Sequence, residues 1–199
     1  MNETPVASDP QPDRGGKARG AYHHGHLRQA LIAAALRALE EAPREALSLS
    51  GLARALGVSQ PAPYRHFADR DALLEAATLE GFRLFAEALD EAADRATAST
   101  LPPRLAEAHL AFGLTRGGLY RLMFIEPAAP GSPVAQARAR EFARLEAAMR
   151  GMGFGQGSRR RALRFWAGVQ GLILASLSPD LAEDLLRLSP SALVDDLVA

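Results

Sequence analysis

The 199 residues hold 23 basic and 23 acidic side chains, 48% apolar residues and no cysteine, which excludes a uniformly basic nucleic-acid coat, a disulfide framework and a thiolate nucleophile or metal ligand. The balance hides an uneven distribution: residues 14–70 carry nine bases against four acids, residues 71–199 fourteen against sixteen. A chain of this length folds around a packed core without a metal or disulfide staple.

In chain order, residues 1–20 combine Pro5, Pro10, Pro12, Gly15, Gly16 and Gly20 with few apolar side chains, which predicts a disordered arm with a basic end, Arg14 to Arg19. That end is either a solvated tail or a minor-groove contact. From Leu27 onward Ala, Leu, Arg and Glu dominate, all good helix formers. No stretch alternates apolar and polar residues as a strand does. The expected fold class is all-α. A first helix runs about Leu27 to Glu41 with Leu27, Leu31, Ala34, Ala35 and Ala38 on one stripe, and Pro43 stops it. Leu49–Leu56 follows Ser48, a good N-cap, and closes at Gly57. Ser59 caps a third short helix through Phe67, and Asp69 a long one from Arg70 to about Ala96. Further helices are expected at about 103–115, 118–125, 134–150, 159–177, 180–188 and 191–198, separated by proline and glycine.

Neither a secretory signal nor a membrane span is expected. The first twenty residues lack an apolar centre, and the longest nearly apolar run, Phe165–Leu177, is shorter than the roughly 20 residues a bilayer needs. A cytoplasmic protein is the default. No Gly-x-Ser-x-Gly elbow, phosphate-loop glycine pattern or His-Glu zinc motif is present, which argues against an enzyme. His23, His24 and His26 lack carboxylate or thiol neighbours at zinc-like spacing. They are expected to cap the first helix near a nucleic-acid backbone; no metal and no cofactor are expected.

The sharpest signal is residues 48–67, SLSGLARALGVSQPAPYRHF. Two short helices meeting at Gly57-Val58-Ser59 make a helix-turn-helix. Leu52, Leu56 and Val58 point inward and Ala53 allows close approach. The outer face carries Gln60, Ala62, Tyr64, Arg65 and His66, donors without a long acidic side chain. The region from about Tyr22 to Phe85 resembles the TetR family of bacterial transcriptional regulators: Tyr22-His23-His24-Gly25-His26-Leu27-Arg28, then the helix-turn-helix with Gln60-Pro61-x-x-Tyr64-x-His66, then Phe67-Ala68-Asp69-Arg70-Asp71-Ala72-Leu73-Leu74. Beyond residue 90 the resemblance is weaker. Phe165-Trp166-Ala167-Gly168-Val169-Gln170-Gly171 resembles the Trp-His-Gly element of one C-terminal subclass, with Gln170 where that subclass has histidine.

The resemblance implies that the third helix lies in a major groove, with Gln60 on an adenine edge and Pro61 and Ala62 against thymine methyls. Tyr64, His66 and Arg70 would hold phosphates, as would Ser48 or Ser50 at the start of the second helix, and Arg65 belongs to the same DNA-facing set. Pro63 departs from the leucine of many members, and Arg70 from their lysine. The implied organisation is an arm (1–20), a helix-turn-helix domain (21–68) and a helical effector-binding and dimerisation domain (69–199). The implied function is a ligand-responsive regulator, usually a repressor, released from a palindromic operator when a small effector moves the long helix from Arg70 as a lever. In the C-terminal half Phe112, Met123 and Trp166, with His109, Tyr120 and Gln170, are the candidate effector contacts. Side chains such as Phe112, Met123, Phe124 and Trp166 at helical spacing are more often plain core than ligand contacts. The helix at 159–177 offers Phe165, Val169, Gly171, Leu172, Ile173 and Ala175 as a homodimer face, with residues 180–198 added. Arg159-Arg160-Arg161 reads as a solvated face. The partners expected are double-stranded operator DNA, an effector and a second copy; a ligand-independent architectural DNA binder is the alternative.

Overall fold

The computed structural model describes residues 26–97 and 99–178, with backbone alone at Phe154. The arm, His23, His24 and the helices expected at 180–188 and 191–198 lie outside the described residues. Among those described there are seven α-helices and no strand. None of these helices is long and apolar enough to cross a membrane.

Helix α1, Leu27–Glu41, buries Leu27, Leu31, Ala34, Ala35 and Leu39. Ala42 precedes Pro43 and takes the extended conformation that ends it. His26 occupies the N-cap position but its side chain makes no capping bond, so the histidine cap expected there is not formed by His26. Helix α2, Leu49–Ala55, is capped by Ser48, whose Oγ accepts the Gly51 N–H at 3.1 Å. Gly57 follows with φ +67°, the left-handed turn that glycine takes at least cost.

The segment after Gly57 is not the α-helix expected between Ser59 and Phe67. It is a turn followed by a single 3-10 turn, Pro63–Arg65, held by N–H bonds from Ala62 to the Ser59 carbonyl and from His66 and Phe67 to the Pro63 carbonyl. Pro63 has no N–H to give the Ser59 carbonyl, the first rung of an α-helical ladder capped by Ser59, and the Ala62 N–H takes that carbonyl instead. Buried Pro63 and Phe67 anchor the segment, and Leu56, Val58 and Ala62 pack half-buried beside them.

Helix α3, Arg70–Asp94, is capped by Asp69, whose carboxylate accepts the Ala72 N–H at 2.8 Å. It buries Leu73, Ala77, Gly81 and Phe85, and Leu89 lies half-buried on the same side. Helix α4, Leu101–Thr115, tolerates Pro102 and Pro103 because its first-turn N–H groups need no helical partner. Helix α5, Gly117–Tyr120, runs into a π turn, Arg121–Ile125. The Arg138 guanidinium donates to the Met123 and Glu126 carbonyls at 2.8 and 3.0 Å, satisfying the end of that turn. Helix α6, Pro133–Met149, is capped by Ser132. A kinked connection through Gly153, φ +89°, leads to α7, Ser158–Ser176.

The helix-turn-helix shares the apolar core of the other helices and is also tied to them by close contacts and ion pairs. Gly118 of α5 sits directly on the backbone of Leu39, where a Cβ would overlap the Leu39 carbonyl oxygen. Arg116 pairs with Glu40 at 3.1 Å, and Arg44 with Glu126.

Helix α7 corrects the expected dimer face. Phe165, Val169 and Ile173 are 4%, 1% and 0% exposed within the single chain, packed as core, and so are not available to a second copy. Gly171 is exposed, with open space where its Cβ would stand, and Leu172 and Ala175 are half-buried. The outward stripe of α7 is Leu163, Ala167 and Gly171. Leu163, half exposed at 50%, is the most exposed large apolar side chain on that helix.

Candidate nucleic-acid interface and internal cavity

The loop from Ser59 to His66 presents one outward surface. Gln60, Pro61, Tyr64 and Arg65 are exposed, and Ala62 and His66 half-buried. The Gln60 amide reaches back to the Ser50 carbonyl at 3.5 Å, a long contact that a base edge can displace. Ser48 and Ser50 lie beside it; the Ser48 oxygen accepts the Gly51 N–H and, at 3.5 Å, the Ser50 hydroxyl. That leaves the Ser48 proton to donate. Arg70 stands at the start of α3, 3.6 Å from Asp71 in an exposed pair of the kind that gives way to a phosphate. Sequence reasoning missed Arg28, whose guanidinium lies 5.2 Å from the Phe67 ring centre, on the flank of the same surface. Of the residues expected to meet DNA, Gln60 to His66 thus lie on a turn rather than a helix, Ser48 and Ser50 at the start of α2, and Arg70 at the start of α3.

A cavity of about 130 Å³ lies between α3, α4, α6 and α7. Leu89, Leu101, Leu105, Phe165 and Trp166 supply apolar wall, and Asp90, His109, Glu141 and Arg144 the polar groups. Arg144 bridges the two carboxylates, pairing with Asp90 and lying 3.4 Å from Glu141. Glu141 is 8% exposed; burial pushes its carboxyl pKa up, and nearby Arg144 opposes this. His109 is 2% exposed and burial lowers its pKa to about 3, so the ring is neutral at physiological pH. Its Nε2 meets the Tyr120 hydroxyl at 2.9 Å. Burial raises the Tyr120 pKa, while a hydrogen bond with Gln170 acts against the rise.

Of the six expected effector contacts, His109 and Trp166 line this cavity. Phe112, Tyr120 and Met123 do not: they pack in the core behind its wall, Phe112 edge-on to Phe85 at 5.2 Å and Met123 with no exposure. Gln170 acts through Tyr120. Asp90, Glu141 and Arg144 were missed by sequence reasoning. A signal existed: Ala137, Glu141, Leu145 and Met149 form a buried i,i+4 stripe on α6, and a carboxylate inside such a stripe departs from an amphipathic pattern.

Comparison with family models matches residues 31–77 to bacterial regulatory proteins of the tetR family and residues 103–199 to the tetracyclin repressor-like C-terminal domain. The chain belongs to the TetR family. It is a DNA-binding transcriptional regulator and not an enzyme. Among solved structures, a Rhodococcus sp. RHA1 protein of unknown function is 33% identical, with 88% of this chain and 93% of that one covered and a TM-score of 0.76. A possible TetR family regulator from Streptomyces coelicolor A3(2) is 26% identical over 86% and 89%, with a TM-score of 0.58. The regulator FadR from Bacillus subtilis, solved in complex with stearoyl-CoA, is 16% identical over 86% and 97%. Its TM-score of 0.66 reflects a shared fold. Comparison with curated proteins gives no match. Within this TetR chain the helix-turn-helix surface and the cavity are the two ends of one rod. Arg70 begins α3 beside the DNA-facing loop, and Leu89, Asp90 and Ala93 of the same helix line the cavity.

Proposed function

We propose that this regulator is a ligand-responsive repressor with an arm (1–20), a DNA-binding unit (21–68) and an effector-binding and dimerisation unit (69–199). The observation that carries the reading is α3. Its 25 residues extend about 37 Å and are continuous from the DNA-facing loop to the cavity wall. A ligand that repositions the cavity end of such a rod moves the other end. Two copies, related by a two-fold axis, would read a palindromic operator, because recognition segments must stand about 34–36 Å apart to meet successive major grooves. The exposed stripe Leu163, Ala167 and Gly171 on α7 is the surface we assign to the second copy, an isologous contact. The FadR complex supports the reading by example, since a protein of this fold was solved with a ligand bound.

Gln60, Pro61 and Ala62 would read bases, and Ser48, Ser50, Tyr64, Arg65, His66 and Arg70 would hold phosphates. Effector and operator then compete through a coupling free energy of about 1–3 kcal/mol. The test is to enrich genomic fragments on the purified chain, sequence them, and repeat the enrichment with a small-molecule extract of bacterial cells. A palindromic motif lost in the presence of the extract supports the reading. Binding without a motif, unaffected by any extract, points to a ligand-independent architectural binder.

A further inference from the structure

We infer that the cavity between α3, α4, α6 and α7 takes a small organic monocation, an amine or quaternary ammonium with an apolar body, held by Glu141 and Asp90 against the Trp166 ring. This rests on the cavity being the effector site.

The sign of the cavity comes from counting the charges that face it. Asp90 and Glu141 are carboxylates, and Arg144 is the one guanidinium among the lining residues. His109 is neutral because burial holds its pKa near 3. With both carboxylates ionised the lining carries one net negative charge. Arg140 is also felt by Glu141 but is not among the residues that line the cavity.

An anion would find no vacant cation. The guanidinium of Arg144 is already shared between Asp90 and Glu141, so an anionic headgroup would displace one carboxylate and then face both. Glu141 is the less satisfied of the two. Its 3.4 Å separation from Arg144 is long for a charge-assisted bond, which is typically about 2.7–2.9 Å, although it is the more deeply buried. A buried carboxylate with an incomplete partner gains most from a cation placed beside it. Phe165 and Trp166 also line the cavity, and aromatic rings attract a cation placed over their faces. Size points the same way. About 130 Å³ suits a compact molecule, and a long acyl chain with a phosphorylated carrier, such as the stearoyl-CoA bound to FadR, meets neither the volume nor the sign.

The experiment uses three probes of matched shape and different charge: benzylammonium, benzyl alcohol and benzoate. Trp166 is the chain's single tryptophan, so fluorescence titration of the full chain reads the cavity wall directly, with calorimetry for affinity. Benzylammonium is expected to bind at least tenfold more tightly than benzoate and to change Trp166 emission. Glu141→Gln should erase most of that preference, and Asp90→Asn, at the exposed rim, should reduce it several-fold. Benzoate binding as tightly as benzylammonium, no binding of any probe, or an unchanged preference in both variants would overturn the inference. If benzylammonium binds without altering operator affinity, the cation site stands and the effector reading fails. Benzoate that binds and releases the operator does the reverse.

Discussion

The Tyr120 hydroxyl and the His109 Nε2 lie 2.9 Å apart in the core, joining α5 to α4. The hydroxyl also bonds Gln170 of α7, so three helices converge on one oxygen. Tyr120→Phe removes that oxygen and leaves His109 and Gln170 without a partner. The expected cost is about 1–3 kcal/mol, read as a lower midpoint with unchanged slope in urea unfolding.

His109 gives stability a specific pH dependence. Its pKa falls from 6.5 to about 3 on folding, so between those values the unfolded chain binds a proton that the folded chain excludes. Stability from this group is complete above pH 6.5 and is lost as pH falls, by up to about 1.4 kcal/mol per unit. Glu141, whose pKa is raised, acts with the opposite sign in both proteins and cancels in a comparison. His109→Gln should therefore lose less stability than the parent between pH 6.5 and 5 in urea melts. Parallel pH profiles would contradict the assignment.

Gly118 admits no side chain. A Cβ there would meet the Leu39 carbonyl oxygen, a backbone atom that cannot rotate away. Gly118→Ala should separate α5 from α1 at a cost of about 1–3 kcal/mol. Gly171→Ala, with open space around it within the chain, serves as the control. Thermal denaturation compares the two.

DNA affinity should fall steeply with salt, with a log–log slope of about −0.9 for each phosphate neutralised. Arg70→Ala should reduce that slope by about 1 and weaken all operators alike, whereas Gln60→Ala should relax preference at one base pair per half-site. Binding titrations on single-base operator variants separate these outcomes. The same uniform loss for both would undo the division of roles.

Gly171→Arg should give a folded monomer. The side chain has room within the protomer but places a charge in the surface assigned to the second copy. Light scattering reads the mass, and operator binding should drop to weak association with one half-site. An intact dimer would move the contact elsewhere.

The helices were legible because their signals are local. Ser48 and Asp69 sit where a cap oxygen is needed, Pro43 and Gly57 where a helix must stop, and the apolar stripe of α1 has helical period. What was hidden depended on tertiary contact. Helix α7 carries apolar residues on both Phe165-Val169-Ile173 and Leu163-Ala167-Gly171, and periodicity alone cannot say which row faces inward. On α6, Glu141 shows only as a charge within an apolar stripe, and Arg144 reads as an ordinary exposed charge until the fold brings Asp90 of α3 beside it. The residues proposed to face DNA were chosen by type and spacing, and the backbone beneath Gln60 to His66 is a turn rather than the expected helix. Pro63 departs from the leucine of many family members, and without its N–H the first rung of a helical ladder is missing and a 3-10 turn forms instead.

That missing ladder has an evolutionary consequence. Only Phe67 makes an i→i−4 N–H bond within residues 59–67, and the anchors are Pro63 and Phe67, both buried. Gln60, Tyr64 and Arg65 hang from this frame without contributing to it, and exposed substitutions of that kind usually change stability by less than about 0.5 kcal/mol. With Gln60 reading a base as proposed, operator preference can drift from one lineage to the next by single exchanges at that position, and exchanges at Tyr64 or Arg65 change affinity, while the scaffold is inherited unchanged.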